Sequence, residues 1–153
     1  MNKVNDQLKK KLLVVCTGNT CRSPMAAAEL NRILAEQNLE EKYTAVSAGV
    51  AAFDGQPAAR NAIEVAKEKG LDLSGHQSRR IMLEDVVEAE RIFVMSEDQK
   101  RLLSSAVPGS EEKIAVMQVP DPYGSDLSVY RACFEQMKKW FLGYLKEHPL
   151  CAE

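Results

Sequence analysis

Along the chain, two spacings of apolar residues alternate, one short and unbroken, the other helical. Leu12-Leu13-Val14-Val15 is a continuous apolar run, as expected of a strand covered on both faces. A polar loop follows, and Ser23-Pro24 opens a helical pattern from about Met25 to Gln37. Tyr43 to Ser47 predicts a second strand, stopped by Ala48-Gly49, and Pro57 to Lys69 a helix closed by Gly70. Arg91 to Met95 predicts a third strand and Glu97 to Ser105 the helix after it. Lys113 to Val119 predicts a fourth strand, broken by Pro120-Asp121-Pro122. From about Asp126 to His148 the chain reads as one long amphipathic helix, with Leu127, Tyr130, Phe134, Met137, Phe141 and Leu145 at helical spacing. Residues 1–10 read as a loose polar lead-in, and there is no internal repeat or low-complexity segment.

Strands that alternate with helices imply a parallel sheet with helices on both faces. Four strands in 153 residues suit a flavodoxin-like, doubly wound α/β fold forming one domain over 1–153. In such sheets ligands gather beyond the carboxyl ends of the strands, at the switch in strand order. Cys16, Ser47, Ser96 and Asp121 each follow a predicted strand, so the chemistry is expected where these four segments converge.

Composition narrows the classes. A formal net charge of -2 gives no electrostatic reason to expect nucleic acid, so an anionic ligand must be drawn by a local positive site. No apolar stretch approaches the length of a membrane span, and no signal segment is visible. Four cysteines at 16, 21, 133 and 151 do not read as a disulfide framework, which predicts a cytoplasmic protein with reduced thiols.

The informative segment is Cys16-Thr17-Gly18-Asn19-Thr20-Cys21-Arg22. Gly18 and Asn19 tolerate left-handed backbone angles, so the loop can turn consecutive N–H groups of Thr17 to Cys21 inward as a nest for an oxyanion. The following helix adds its N-terminal dipole, and Arg22 a planar guanidinium able to hold two phosphate oxygens. Helix N-termini and neighbouring guanidinium groups favour the thiolate form of cysteine, which makes Cys16 a candidate nucleophile. Ser23 is placed to donate a hydrogen bond to that sulfur. No Gly-Lys-Ser/Thr follows, which excludes a nucleotide-binding Walker loop. Zinc at Cys16 and Cys21 would need two further ligands, and His76 and Cys133 have no supporting spacing. Cys21, inside the loop, can form a reversible disulfide with Cys16 under oxidant.

The stretch from Val15 to Ala26, with Ser47-Ala48-Gly49-Val50, the Gly70 to His76 segment and Asp121-Pro122-Tyr123-Gly124, resembles the low-molecular-weight cysteine phosphatases over about residues 11–147. The resemblance implies a flavodoxin-like fold, a phosphocysteine intermediate, no metal or other cofactor, and phosphorylated proteins as substrates. It implies that Asp121 protonates the leaving atom and then activates water. Asn19, Ser23, Ser47 and His76 would hold the loop in shape, and Tyr123 would form one wall of the substrate slot. Thr20 stands where members acting on phosphotyrosine carry a branched aliphatic residue. A threonine there resembles the bacterial branch that hydrolyses phosphoarginine. A hydroxyl at the pocket wall disfavours dry packing against a phenyl ring and suits a hydrated guanidinium. Phosphoarginine is therefore favoured over phosphotyrosine. Two rivals remain: thiol-coupled arsenate reduction, which would need cysteines absent from residues 50–130, and a phosphate-binding module, which would need neither Cys16 nor Asp121.

Overall fold

The structure is a computed structural model and describes residues 9–151. Most of the expected lead-in lies outside these residues, but Lys10 already belongs to the first strand. In chain order the elements are β1 (Lys10–Cys16), α1 (Arg22–Glu36), β2 (Tyr43–Gly49), α2 (Arg60–Glu68), α3 (Leu83–Glu88), β3 (Arg91–Val94), α4 (Glu97–Ala106), β4 (Ile114–Val116) and α5 (Leu127–Glu147). A 3-10 turn at Glu111–Lys113 precedes β4. The four strands pair in parallel in the order β2-β1-β3-β4. This is the expected α/β architecture.

Strand β1 lies inside the sheet and is buried on both sides, which explains its unbroken apolar run. Leu12, Val14 and Cys16 face the layer built by α1, α2 and α5; Leu13 and Val15 face α3 and α4. On the first face, Phe93 of β3 meets Trp140, Phe141 and Tyr144 of α5 edge to face, at centroid distances of 5.7, 5.3 and 5.2 Å. Such pairs add about 0.5–1.5 kcal/mol beyond area burial, and here they fix α5 across the sheet. The chain leaves β1 for β2 on one side and crosses to β3 on the other. The carboxyl end of β1 therefore opens at the reversal of strand order, where Cys16 sits.

Several boundaries differ from expectation. Helix α2 begins at Arg60 rather than Pro57, because Ala59 donates its N–H to Thr20 O at 2.8 Å and holds extended angles. The fourth strand ends at Val116 rather than Val119. Gln118 takes φ 56°, a left-handed bulge, while Met117 and Val119 still donate to Val94 O and Met95 O. Lys113, expected in that strand, lies in the 3-10 turn. Helix α3 has no counterpart in the sequence reading; it is six residues long and exposes Leu83 and Val87, so no amphipathic period marks it. Ser47 lies within β2, opposite Val14, rather than after it.

Helix α3 is tied to the site by Arg79, whose guanidinium donates to both oxygens of Asp85 at 3.0 Å. Partial burial pushes the Asp85 carboxyl up, but the bonds from Arg79 and the Met82 N–H, with the charges of Arg79 and Lys11, outweigh it and hold Asp85 below its ordinary range. A depressed carboxyl stabilises the fold above its unfolded value, about 3.9, and loses that contribution as pH falls through the folded value. Asp85→Asn should therefore lower stability by about 1 kcal/mol at neutral pH. Urea unfolding of parent and variant at pH 7 and near pH 3 should show the difference shrinking on acidification.

Candidate active site

The loop between β1 and α1 lies at the mouth of a cavity of about 190 Å³, lined by Cys16, Thr17, Gly18, Thr20, Cys21, Arg22, Asp121 and Tyr123. Two segments far apart in sequence, the loop at 16–22 and the turn at 121–123, supply these groups. The start of α1 has no side-chain cap and no acidic residue in its first turn, and Pro24 there carries no N–H. Among the described residues, the N–H groups of Thr17, Gly18, Thr20 and Cys21 take no backbone partner. The N–H of Asn19 points instead at Cys16 Sγ, 3.2 Å away. This is an arrangement of donors that an anion would complete.

Arg22 is only 6% exposed. Its Nη1 donates to Val119 O at 2.8 Å and its Nη2 to Thr17 Oγ1 at 3.4 Å. Its Nε is buried and, among the described residues, has no hydrogen-bond partner. One side of the guanidinium is thus anchored to the protein, and the Nε edge is left over for a ligand. Asp121 Oδ2 lies 3.7 Å from Arg22 Nη2, and the Asp121 side chain is 51% exposed, at the cavity rim. Its Oδ1 accepts the N–H of Tyr123 at 3.0 Å, which fixes the carboxylate within the Asp-Pro-Tyr turn.

The loop owes its shape to Asn19, which is fully buried at φ 58°. Its Nδ2 donates to Ser23 Oγ at 2.7 Å and to Ser47 Oγ at 3.0 Å, and its Oδ1 accepts the Arg79 N–H at 2.9 Å. The ring of His76 lies with Nε2 2.7 Å from Asn19 O. Ser23 Oγ is 2.9 Å from Cys16 Sγ. Of the two residues expected to tolerate left-handed angles, only Asn19 uses one; Gly18 does not. Gly49, at the end of β2, is needed for another reason: a Cβ there would come within 2.6 Å of Thr17 O. Bonds from Val50 N–H to Cys16 O and Ala51 N–H to Thr17 O, 3.0 and 2.9 Å long, complete this contact.

A family model for the low molecular weight phosphotyrosine protein phosphatases matches residues 11–148. The chain belongs to this family. It is 35% identical over 136 residues to the probable low molecular weight protein-tyrosine-phosphatase EpsP of Ralstonia nicotianae, covering 85% of this chain and 90% of that one. It is 33% identical over 137 residues to the protein-arginine-phosphatase of Geobacillus stearothermophilus, covering 84% and 88%. The structure of a low molecular weight protein tyrosine phosphatase from T. tengcongensis superposes with a TM-score of 0.84 at 34% identity, covering 91% of this chain and 99% of that one.

The structure thus gathers Cys16, Arg22, Asp121, Thr17, Gly18, Thr20, Cys21 and Tyr123 at one cavity, with Asn19, Ser23, Ser47 and His76 bonded behind it. Ser96 is not among them: its hydroxyl caps α4 by accepting the Gln99 N–H. The third strand reaches this phosphatase loop through Gln99, which sequence reasoning missed. Its Oε1 accepts the Met95 N–H at 2.8 Å and its Nε2 donates to Thr17 Oγ1 at 3.3 Å. Tyr130, in sequence one of the residues at helical spacing along α5, also takes part. Its hydroxyl lies 3.3 Å from Cys21 Sγ, joining the loop to that helix. Burial pushes the Cys21 thiol up, against the opposing effect of Tyr130. Burial pushes Cys133 further, to about 12, the behaviour of an inert core thiol. Among the described residues no group of His, Cys, Asp and Glu is arranged to hold a metal ion, and no helix is long and apolar enough to cross a membrane.

Substitution at Asn19 separates backbone angle from hydrogen bonding. Asn19→Ala removes three side-chain bonds and puts a Cβ-bearing residue without polar compensation at a left-handed angle; it should cost about 3–4 kcal/mol. Asn19→Gly loses the same bonds without the strain and should cost about 1 kcal/mol less. Denaturant midpoints of the two variants check the ordering.

Proposed function

We propose that this protein removes phosphate from arginine residues of proteins through a phosphocysteine intermediate. The observation that carries the substrate assignment is Thr20, a hydroxyl-bearing residue lining the same small cavity as the Asp121 carboxylate and Cys16. A guanidinium leaving group carries positive charge once protonated, and a carboxylate at the rim with a hydroxyl on the wall suits it better than a phenyl ring. The similarity to a protein-arginine-phosphatase supports this reading. The similarity to EpsP and the exposed ring of Tyr123 at the cavity mouth favour phosphotyrosine as the alternative.

The proposed chemistry follows from the positions of the groups. The phosphoryl oxygens take the free N–H groups of the loop and the open Nε edge of Arg22, which offset the charge of the transition state. Cys16 Sγ, as thiolate, forms the S–P bond while the P–N bond to arginine, or the P–O bond to tyrosine, breaks. Asp121 delivers its proton to the departing atom. Asp121 then takes a proton from water as the water oxygen bonds to phosphorus and the S–P bond breaks. Ser23 Oγ, 2.9 Å from Cys16 Sγ, donates a hydrogen bond to the sulfur as it leaves. Inorganic phosphate is the product, and no metal enters.

Two measurements test the reading. Asp121→Ala should slow turnover about 100-fold or more on substrates with poor leaving groups, and much less on para-nitrophenyl phosphate, whose leaving group departs without a proton. An equal loss on both would remove Asp121 as the acid. Thr20→Ile should lower kcat/KM on a phosphoarginine peptide and raise it on the matched phosphotyrosine peptide, each by about 5- to 30-fold. An unchanged ratio of the two would take away the residue on which the phosphoarginine assignment rests.

A further inference from the structure

Thr17 follows the nucleophile in the loop, and its side chain is held from outside the loop by Gln99. Gln99 lies in the first turn of α4 and is only 6% exposed. Its side-chain amide spans from the Met95 N–H, just past β3, to Thr17 Oγ1, at 2.8 and 3.3 Å. Chemistry decides the orientation of that amide. The Met95 N–H only donates, so the atom facing it is the oxygen, and the nitrogen facing Thr17 only donates. Arg22 Nη2 reaches the same hydroxyl oxygen at 3.4 Å and is likewise a donor alone.

A hydroxyl has one hydrogen and two lone pairs. At Thr17 both lone pairs are taken by N–H donors, so the hydroxyl's own hydrogen is what remains to be placed. Among the described residues that hydrogen has no acceptor. Thr17 lines the cavity together with Cys16 and Arg22. A cationic donor on the oxygen polarises the O–H bond and makes it the stronger donor. The same count excludes a substrate guanidinium as its partner, because a guanidinium offers only N–H groups and the oxygen has no lone pair left for them.

We infer that the Thr17 hydroxyl donates to a non-bridging phosphoryl oxygen, and that Gln99 is a positioning residue that keeps this hydrogen turned toward it. The inference rests on the reading of this cavity as the phosphoryl site. The contact adds a side-chain donor to the main-chain N–H groups of the loop. It meets the part that phosphoarginine and phosphotyrosine share, so it assists turnover of both without choosing between them.

The test measures vanadate binding, and kcat/KM on para-nitrophenyl phosphate and on matched phosphoarginine and phosphotyrosine peptides. Thr17→Val keeps the shape of the side chain without the hydroxyl. It should weaken vanadate binding and lower every measurable rate by about 10- to 100-fold, the range for a hydrogen bond to a charged group. Thr17→Ser should restore both to within a few-fold of the parent. Gln99→Met removes the donor to Thr17, and Gln99→Glu does so while keeping an acceptor for the Met95 N–H. Each should cost about 10-fold in the parent and markedly less in the Thr17→Val background. Equal costs in the two backgrounds make Gln99 a structural residue only and overturn its role. Unchanged vanadate binding and rates in Thr17→Val, or a loss confined to the phosphotyrosine peptide, overturn the donor. A parent that binds vanadate, shows these losses in binding, and hydrolyses neither peptide supports the donor and overturns the proposed function, so the two proposals fail separately.

Discussion

The site is built around a guanidinium that is buried while its nearest carboxylate stays half-exposed. Placing a charge in a protein interior costs several kcal/mol unless dipoles or an opposite charge replace the lost water. Arg22 has only a half-exposed carboxylate 3.7 Å away, so much of the compensation comes from the Val119 carbonyl. That carbonyl follows the left-handed bulge at Gln118, which interrupts the strand it would otherwise extend. The irregular end of β4 and the aim of the arginine belong to one arrangement, which leaves the buried Nε–H without a partner among the described residues.

Asn19 is the second support. It joins the catalytic loop to α1 through Ser23, to β2 through Ser47 and to the approach to α3 through the Arg79 N–H. The loop is therefore fixed from three sides by one amide. Gly49 lets the end of β2 come close enough for this, since any side chain there would collide with Thr17 O. The close approach at Gly49 and the bonds of Asn19 hold the loop that carries the Cys16 sulfur in one place.

The four parallel strands, both helical layers and the position of the cysteine loop were legible in the pattern of apolar residues; the strand order was not. β1 is buried on both faces and α5 carries a clear apolar stripe. What escaped was decided by partners distant in sequence. Pro57-Ala58-Ala59 has good start signals for a helix, but a bond from Ala59 to Thr20 holds it extended. Helix α3 exposes Leu83 and Val87 and shows no period to read. Gln99 and Tyr130 sit at unremarkable helical positions; their roles come from reaching Thr17 and Cys21, 82 and 109 residues away.

The uncapped start of α1 has an evolutionary consequence. The loop donors without a backbone partner are the peptide N–H groups of Thr17, Gly18, Thr20 and Cys21, and no substitution except proline deletes a peptide N–H. Side chains at Thr17, Gly18 and Thr20 can therefore change while these main-chain donors stay in place. Under the proposed function, such a scaffold exchanges one phosphorylated residue for another by altering the rim alone. Relatives named for arginine and for tyrosine stand at nearly equal identity to this chain, 33% and 35%, in keeping with that freedom.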